Sequence, residues 1–177
     1  MTWWMCFWVW VARTDAWVKG MFKNFARHAL ALELLKRHAR ISIVHRETAI
    51  PKQVLREAYR ELHGRSPSPG ALKYSTQGLV RNLRKRKAVT LFAVCFQTVE
   101  SQSRADHIQK VIIAFDIYKM FCPDSRLDFS EAWVVARDLM VKQIEVVRCP
   151  YCESAVLING RDDSKERCAV CNKAIES

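Results

Sequence analysis

Cys149-Pro-Tyr-Cys152, fifteen further residues and then Cys168-Ala-Val-Cys171 form the pattern that most narrows what this chain can fold into. Two residues between cysteines let both sulfurs of a pair reach one metal, and the intervening segment is long enough to bring the second pair opposite the first. Four thiolates then complete a tetrahedron, with Zn–S distances of about 2.3 Å. The spacing predicts one structural zinc ion on Cys149, Cys152, Cys168 and Cys171, in a zinc-ribbon-like module. Four protein ligands leave no position for water, which argues against a hydrolytic zinc. A redox Cys-x-x-Cys would lack thioredoxin-like surroundings here, and an iron–sulfur cluster is the remaining alternative. Val156-Leu157-Ile158 reads as a strand and Asn159-Gly160 as a hairpin turn. The other three cysteines, Cys6, Cys95 and Cys122, stand singly in apolar surroundings, as small buried hydrophobes do. An odd count of seven argues against a disulfide framework and for a reducing cytosol.

Charge is the second constraint. The formal net charge is +11, and residues 21–100 carry all of it, with 16 basic against 5 acidic side chains. A basic block beside a near-neutral remainder points to a polyanion, with nucleic acid ahead of a membrane surface. The start, MTWWMCFWVWVA, holds four of the six tryptophans. Its apolar run of about ten residues is too short for a ~30 Å hydrocarbon layer, so no membrane span is expected. It lacks the basic start and the cleavage pattern of a signal peptide. Residues 1–20 read as a poorly ordered aromatic extension, with Met21 as an alternative start.

The rest reads as helices. Apolar residues at three- and four-residue steps predict a helix over 22–40, with 41–47 continuing or restarting it. Pro51 suits the first turn of a further helix ending near Leu62, and Gly64 is a natural stop. Arg65–Ala71, with two prolines and a glycine, is a loop. Helices are predicted over 76–99 and 105–121, and a last one runs to 143 from a Ser130 cap. Phe115, Tyr118, Phe121 and Trp133 on the last two are expected to exceed what a small bundle covers and to face a partner.

Residues 40–62 thus take the form of a helix-turn-helix. The second helix offers Lys52, Gln53, Arg56 and Arg60. Early residues of such a helix meet base edges, where Gln suits adenine and Arg guanine; an ordinary helical hairpin has the same outline. Arg81, Arg84, Lys85, Arg86 and Lys87 make the densest basic run, a source of phosphate affinity rather than of sequence choice. Five scattered histidines, five glycines without a phosphate loop and no framed carboxylate pair give no catalytic constellation.

With these residues in view the chain resembles the FlhC-type transcriptional activators, whose founding member is a subunit of the bacterial flagellar master regulator. The similar stretch runs from Ala39-Arg40 through Glu47-Thr48, Tyr59, Glu61-Leu62 and Gly64. It continues through Ser66-Pro67, Gly70, Leu72 and Ser75-Thr76. Later, Tyr118, Cys122-Pro123, Ala132-Trp133 and Arg137 match, as do the four cysteines. Gln77-Gly78-Leu79 replaces the family's Asp-Trp-Phe. The resemblance implies a cytoplasmic bacterial activator that binds promoter DNA, works with an FlhD-like subunit and RNA polymerase, and carries zinc on Cys149, Cys152, Cys168 and Cys171. Its genes would be flagellar or those of a mobile element.

The expected fold is therefore mainly α: a helical bundle with a helix-turn-helix-like segment in residues 21–146, then the small four-cysteine module in 147–177. The expected function is a double-stranded-DNA-binding activator subunit, not an enzyme. Two rivals stay open, an interaction or assembly protein and an RNA-binding factor.

Overall fold

The computed structural model describes residues 22–80, 82–159 and 166–175. The aromatic extension over 1–20, the candidate start Met21, Arg81 and the Gly160 turn position lie outside the described residues. The chain divides into two compact units, Met1–Ser68 and Pro69–Ser177.

In the first unit, helix α1 covers 22–36 and stops earlier than its periodicity suggests. His38 takes the left-handed conformation (φ 57°). The amides of His38 and Ala39 donate back to the carbonyls of Leu35 and Leu34, which closes the helix as a Schellman turn does. Helix α2 is Ile41–Thr48, and α3 is Lys52–His63, ended by Gly64 at φ 63°. Ile43 and Val44 of α2, Leu55 and Tyr59 of α3, and Leu34 and Leu35 of α1 are all buried. Behind the turn, His38 Nδ1 lies 3.0 Å from the Tyr59 hydroxyl. Its ring lies against that of His63, tilted by 32° with 4.2 Å between centroids, and the His63 ring lies 2.9 Å from the Leu35 carbonyl through Nε2.

Burial, with the charges of His63 and Arg65, holds His38 below its ordinary pKa of 6.5. The folded unit therefore resists the proton more than the unfolded chain does. The contribution is complete above 6.5 and is lost as the pH falls through the lowered value. Urea midpoints are expected to drop on mild acidification, and the drop should be shallower in His38→Asn, since asparagine tolerates the left-handed backbone.

In the second unit, residues 76–82 depart from the expected continuous helix. Thr76–Gly78 form a single 3-10 turn, and α4 begins only at Leu83, running to Gln102. Glycine is a poor helix former, and Asn82 makes a better cap, accepting from the Lys85 amide at 2.7 Å. Helix α5 is His107–Phe121 and α6 is Phe129–Met140. The cap of α6 is Asp128, not Ser130: Asp128 and Glu131 form a reciprocal capping box, and Ser130 is buried within the first turn. At its far end Lys142 turns left-handed (φ 52°), so the helix closes before Gln143.

The three helices enclose Phe92, Phe96, Phe115, Tyr118 and Phe129, with edge-on contacts such as Phe115–Phe129 at 5.2 Å. Of the four aromatic residues expected to face a partner, Phe115, Tyr118 and Trp133 are core, and Phe121 alone is exposed. Burial on three sides of a short bundle absorbs more aromatic surface than periodicity suggests.

Four short strands finish the unit. β1 (Ile144–Arg148) pairs antiparallel with β2 (Ala155–Asn159), and β3 (Glu166–Arg167) with β4 (Ala174–Ile175). β1 and β2 pack on α4, so the cysteine module belongs to the same body as the helices.

Candidate metal centre and basic surfaces

Each cysteine pair is the turn of its own hairpin. Cys149 to Cys152 lies between β1 and β2, and Cys168 to Cys171 between β3 and β4. The two knuckles repeat one hydrogen-bond scheme. The Cys149 amide donates to Ser154 O and the Glu153 amide to Cys149 O; the Cys168 amide donates to Lys173 O and the Asn172 amide to Cys168 O. Both schemes need a left-handed residue four places after the first cysteine, and Glu153 (φ 58°) and Asn172 (φ 59°) supply it. The residue pattern places β2 correctly but pairs it across the long insert; its partner is β1, upstream of the first knuckle.

The four Sγ atoms lie within 4.8 Å of one another. Cys149–Cys171 and Cys152–Cys168 are each 3.6 Å apart. That is far beyond a disulfide bond of about 2.05 Å and close to the ~3.8 Å edge of a tetrahedron of sulfurs held 2.3 Å from a central metal. The residues therefore fit a four-coordinate metal ion. Val156 and Ile175 pack with Cys149 and Cys168 into a small core, which shields the site on one side.

Cys152 and Cys171 are shifted in opposite directions. Hydrogen bonds from the Ser154 side chain and backbone, then from neighbouring thiols, bring Cys152 down to about 6. At Cys171 the backbone bond at Lys173 acts downward, but burial and the three other sulfurs outweigh it and push that thiol up to about 11. A central dication would favour the thiolate at all four positions.

The basic residues separate into two settings. On α3, Lys52, Gln53, Arg56 and Arg60 are all exposed, while Leu55 and Tyr59 on the opposite face are buried. Gln53 reaches Glu57 at 3.4 Å. The second run is divided by the fold. Lys85 turns inward to Glu131, 2.5 Å away, and Arg86 donates to the Arg167 carbonyl at 3.3 Å, next to the second knuckle. Arg84 and Lys87 stay exposed on α4; Arg81 lies outside the described residues.

One constellation is invisible to residue pattern. Asp138 on α6, 1 % exposed, accepts from both the amide and the hydroxyl of Thr76 at 2.8 Å. Its other oxygen accepts from Arg137 Nε at 2.9 Å and Nη2 at 2.6 Å. Arg137 also reaches the Tyr74 carbonyl and lies over the Trp133 ring. Thr76, Trp133 and Arg137, all residues that carry the family resemblance, thus meet at one staple.

The described residues are thus mainly helical, with cationic helix faces and four converging cysteines that could hold a metal ion. A family model described as "Flagellar transcriptional activator (FlhC)" matches residues 17–176, and the chain belongs to that family. Similar proteins, each called flagellar transcriptional regulator FlhC, include that of Cupriavidus necator, 26% identical over 159 residues, covering 86% of this chain and 77% of the relative. That of Nitrosomonas eutropha is 24% identical, covering 88% and 83%, and that of Serratia marcescens 24%, covering 72% and 68%. The family is one of transcription regulators, not of enzymes. Among the described residues no helix is long and apolar enough to cross a membrane.

Proposed function

We propose that this chain is the DNA-binding subunit of a cytoplasmic bacterial transcriptional activator, stapled by one zinc ion and acting with an FlhD-like partner and RNA polymerase, with flagellar promoters as its targets and mobile-element transfer genes as the alternative. The observation that carries the reading is α2–turn–α3. The turn is three residues, Ala49 to Pro51, with Ala49 left-handed at φ 56° and Ile50 buried. A turn of that length supports a helix-turn-helix reading. It leaves Lys52, Gln53, Arg56 and Arg60 in solvent on the second helix, where a recognition helix carries its base contacts.

The metal is assigned to zinc because four thiolates in closed tetrahedral array suit it and leave no open position. The partner is assigned to the first unit. Phe22, Phe25 and Leu32 are exposed along α1, with Phe25 73 % accessible, and exposed apolar stretches mark interfaces.

Gel-shift titration with duplex DNA and with RNA, with and without the partner, tests the reading. Gln53→Ala and Arg56→Ala should each cost about 1–3 kcal/mol on the target promoter and little on random duplex. Lys52→Ala and Arg60→Ala should weaken both alike, each flattening the slope of log affinity against log salt by about 0.9. Equal losses for Gln53→Ala on both duplexes would remove base readout from α3, and a preference for RNA would sink the promoter reading.

A further inference from the structure

A cleft of about 910 Å³ opens between the first turns of α4 and the loop joining α5 to α6. Its volume lies within the range of small-ligand sites. Arg84 and Lys87, three residues apart, present one face of α4 to it, and Arg126 enters from the opposite wall. All three are exposed, and among the described residues none is held by a carboxylate. Asp124 is the one acid in the lining besides the cations. The same face of α4 continues to Leu91, and the floor is closed by Tyr118 and Leu127. Phe121 stands at the rim, 70 % exposed.

The cleft is therefore amphipathic along its length. Arg84 and Leu91 are seven residues apart, about 10 Å along the helix axis. The lining offers Arg84, Lys87 and Arg126 as cations, with Lys85 already held by Glu131, together with an apolar floor and the Phe121 ring at the rim. The stacked bases of a duplex cannot lay a ring face on Phe121, so a duplex would meet this cleft through its phosphates and leave the apolar floor unfilled. A compact ligand with a planar ring at one end and several negative charges at the other uses both. Ring stacking on Phe121 and charge-assisted bonds to Arg84, Lys87 and Arg126 are the matching contacts.

We propose that this cleft binds a nucleoside polyphosphate, base toward Leu91 and Phe121 and phosphates toward Arg84, Lys87 and Arg126. The site lies in the second unit and stands independently of the role given to α3.

Calorimetric titration of the full chain at fixed ionic strength tests it, with ATP, GTP, adenosine and inorganic triphosphate as probes. ATP or GTP is expected to bind saturably, one per chain, and at least about tenfold more tightly than adenosine or triphosphate, because neither fragment fills both ends. Arg84→Ala with Lys87→Ala should weaken the nucleotide about tenfold or more. Phe121→Ala should bring ATP toward the affinity of bare triphosphate. Arg56→Ala with Arg60→Ala on α3 should leave nucleotide binding unchanged, which separates this site from general attraction to a basic chain. Unaltered metal content and melting temperature in each variant exclude misfolding. Triphosphate binding as tightly as ATP, indifference to Phe121→Ala, or a short duplex that depends on Arg84, Lys87 and Phe121 as ATP does would each overturn the assignment.

Discussion

Cys168→Ala protein is expected to purify without stoichiometric metal and to lose the ordered structure of 144–159 and 166–175. The native chain should carry about one zinc, measured by elemental analysis. Zinc binding to tetrathiolate modules contributes an apparent 10–16 kcal/mol, roughly, and that is folding free energy, because the site does not exist in the unfolded chain. Two-residue strands such as β3 and β4 cannot hold themselves together. The small core of Cys149, Val156, Cys168 and Ile175 includes two of the ligands themselves. The loss should spread, since β1 and β2 cover part of α4, and the melting temperature of the helical body should fall too. Cys152→Ala and a chelator should reproduce the effect, whereas Cys122→Ala, outside the tetrad, should keep the metal. Acid should release it, since each ligand binds as thiolate and protons compete for the same sulfurs. A Cys168→Ala chain that keeps its metal, or a metal-free chain that melts like the native one, would remove the site.

Asp138→Ala should destabilise the second unit by about 2–4 kcal/mol, chiefly because two buried donors lose their acceptor while Arg137, with 30 % of its side chain exposed, keeps contact with solvent. The carboxylate answers four donors. Its removal strands the amide and hydroxyl of Thr76, itself 1 % exposed, and leaves the Arg137 guanidinium without its counter-ion. Thr76→Val should cost only about 1 kcal/mol, the net worth of one hydrogen bond. Asp138→Asn should fall between the two, since its amide group must turn a donor toward either Thr76 or Arg137. Denaturant midpoints give the ordering. An alanine variant as stable as the native chain would mean that the 3-10 turn is held by packing alone. The binding site on α3 lies in the other unit, so Gln53 and Arg56 variants should leave this transition where it is.

Much of the local structure was legible from residue pattern. The Cys-x-x-Cys pairs announced their tetrad because metal geometry tolerates few spacings. Gly64 announced the end of α3 because a left-handed backbone there is easy only for glycine. The closing of α1 at His38 and α6 at Lys142 was not legible, because those residues take the same backbone against their own preference and only tertiary packing makes it worthwhile. Asp128 as the cap of α6 was readable from its spacing to Glu131; Ser130, nearer the apolar run, was the decoy.

The sequence by itself determined the helical class, the four converging sulfurs and the concentration of charge in one block, because each depends on residue type and short-range spacing. The tertiary structure alone decided which cations are free. Lys85 and Arg86 look the same as Arg84 and Lys87 in the chain, yet Glu131, 46 residues away, takes one and the Arg167 carbonyl, 81 residues away, holds the other. It also decided that Phe115, Tyr118 and Trp133 are core, and that Thr76 belongs to Asp138 rather than to a helix. Each of those outcomes is a contact between residues far apart in the chain, and the side chain's partner, not its own chemistry, sets the role it plays.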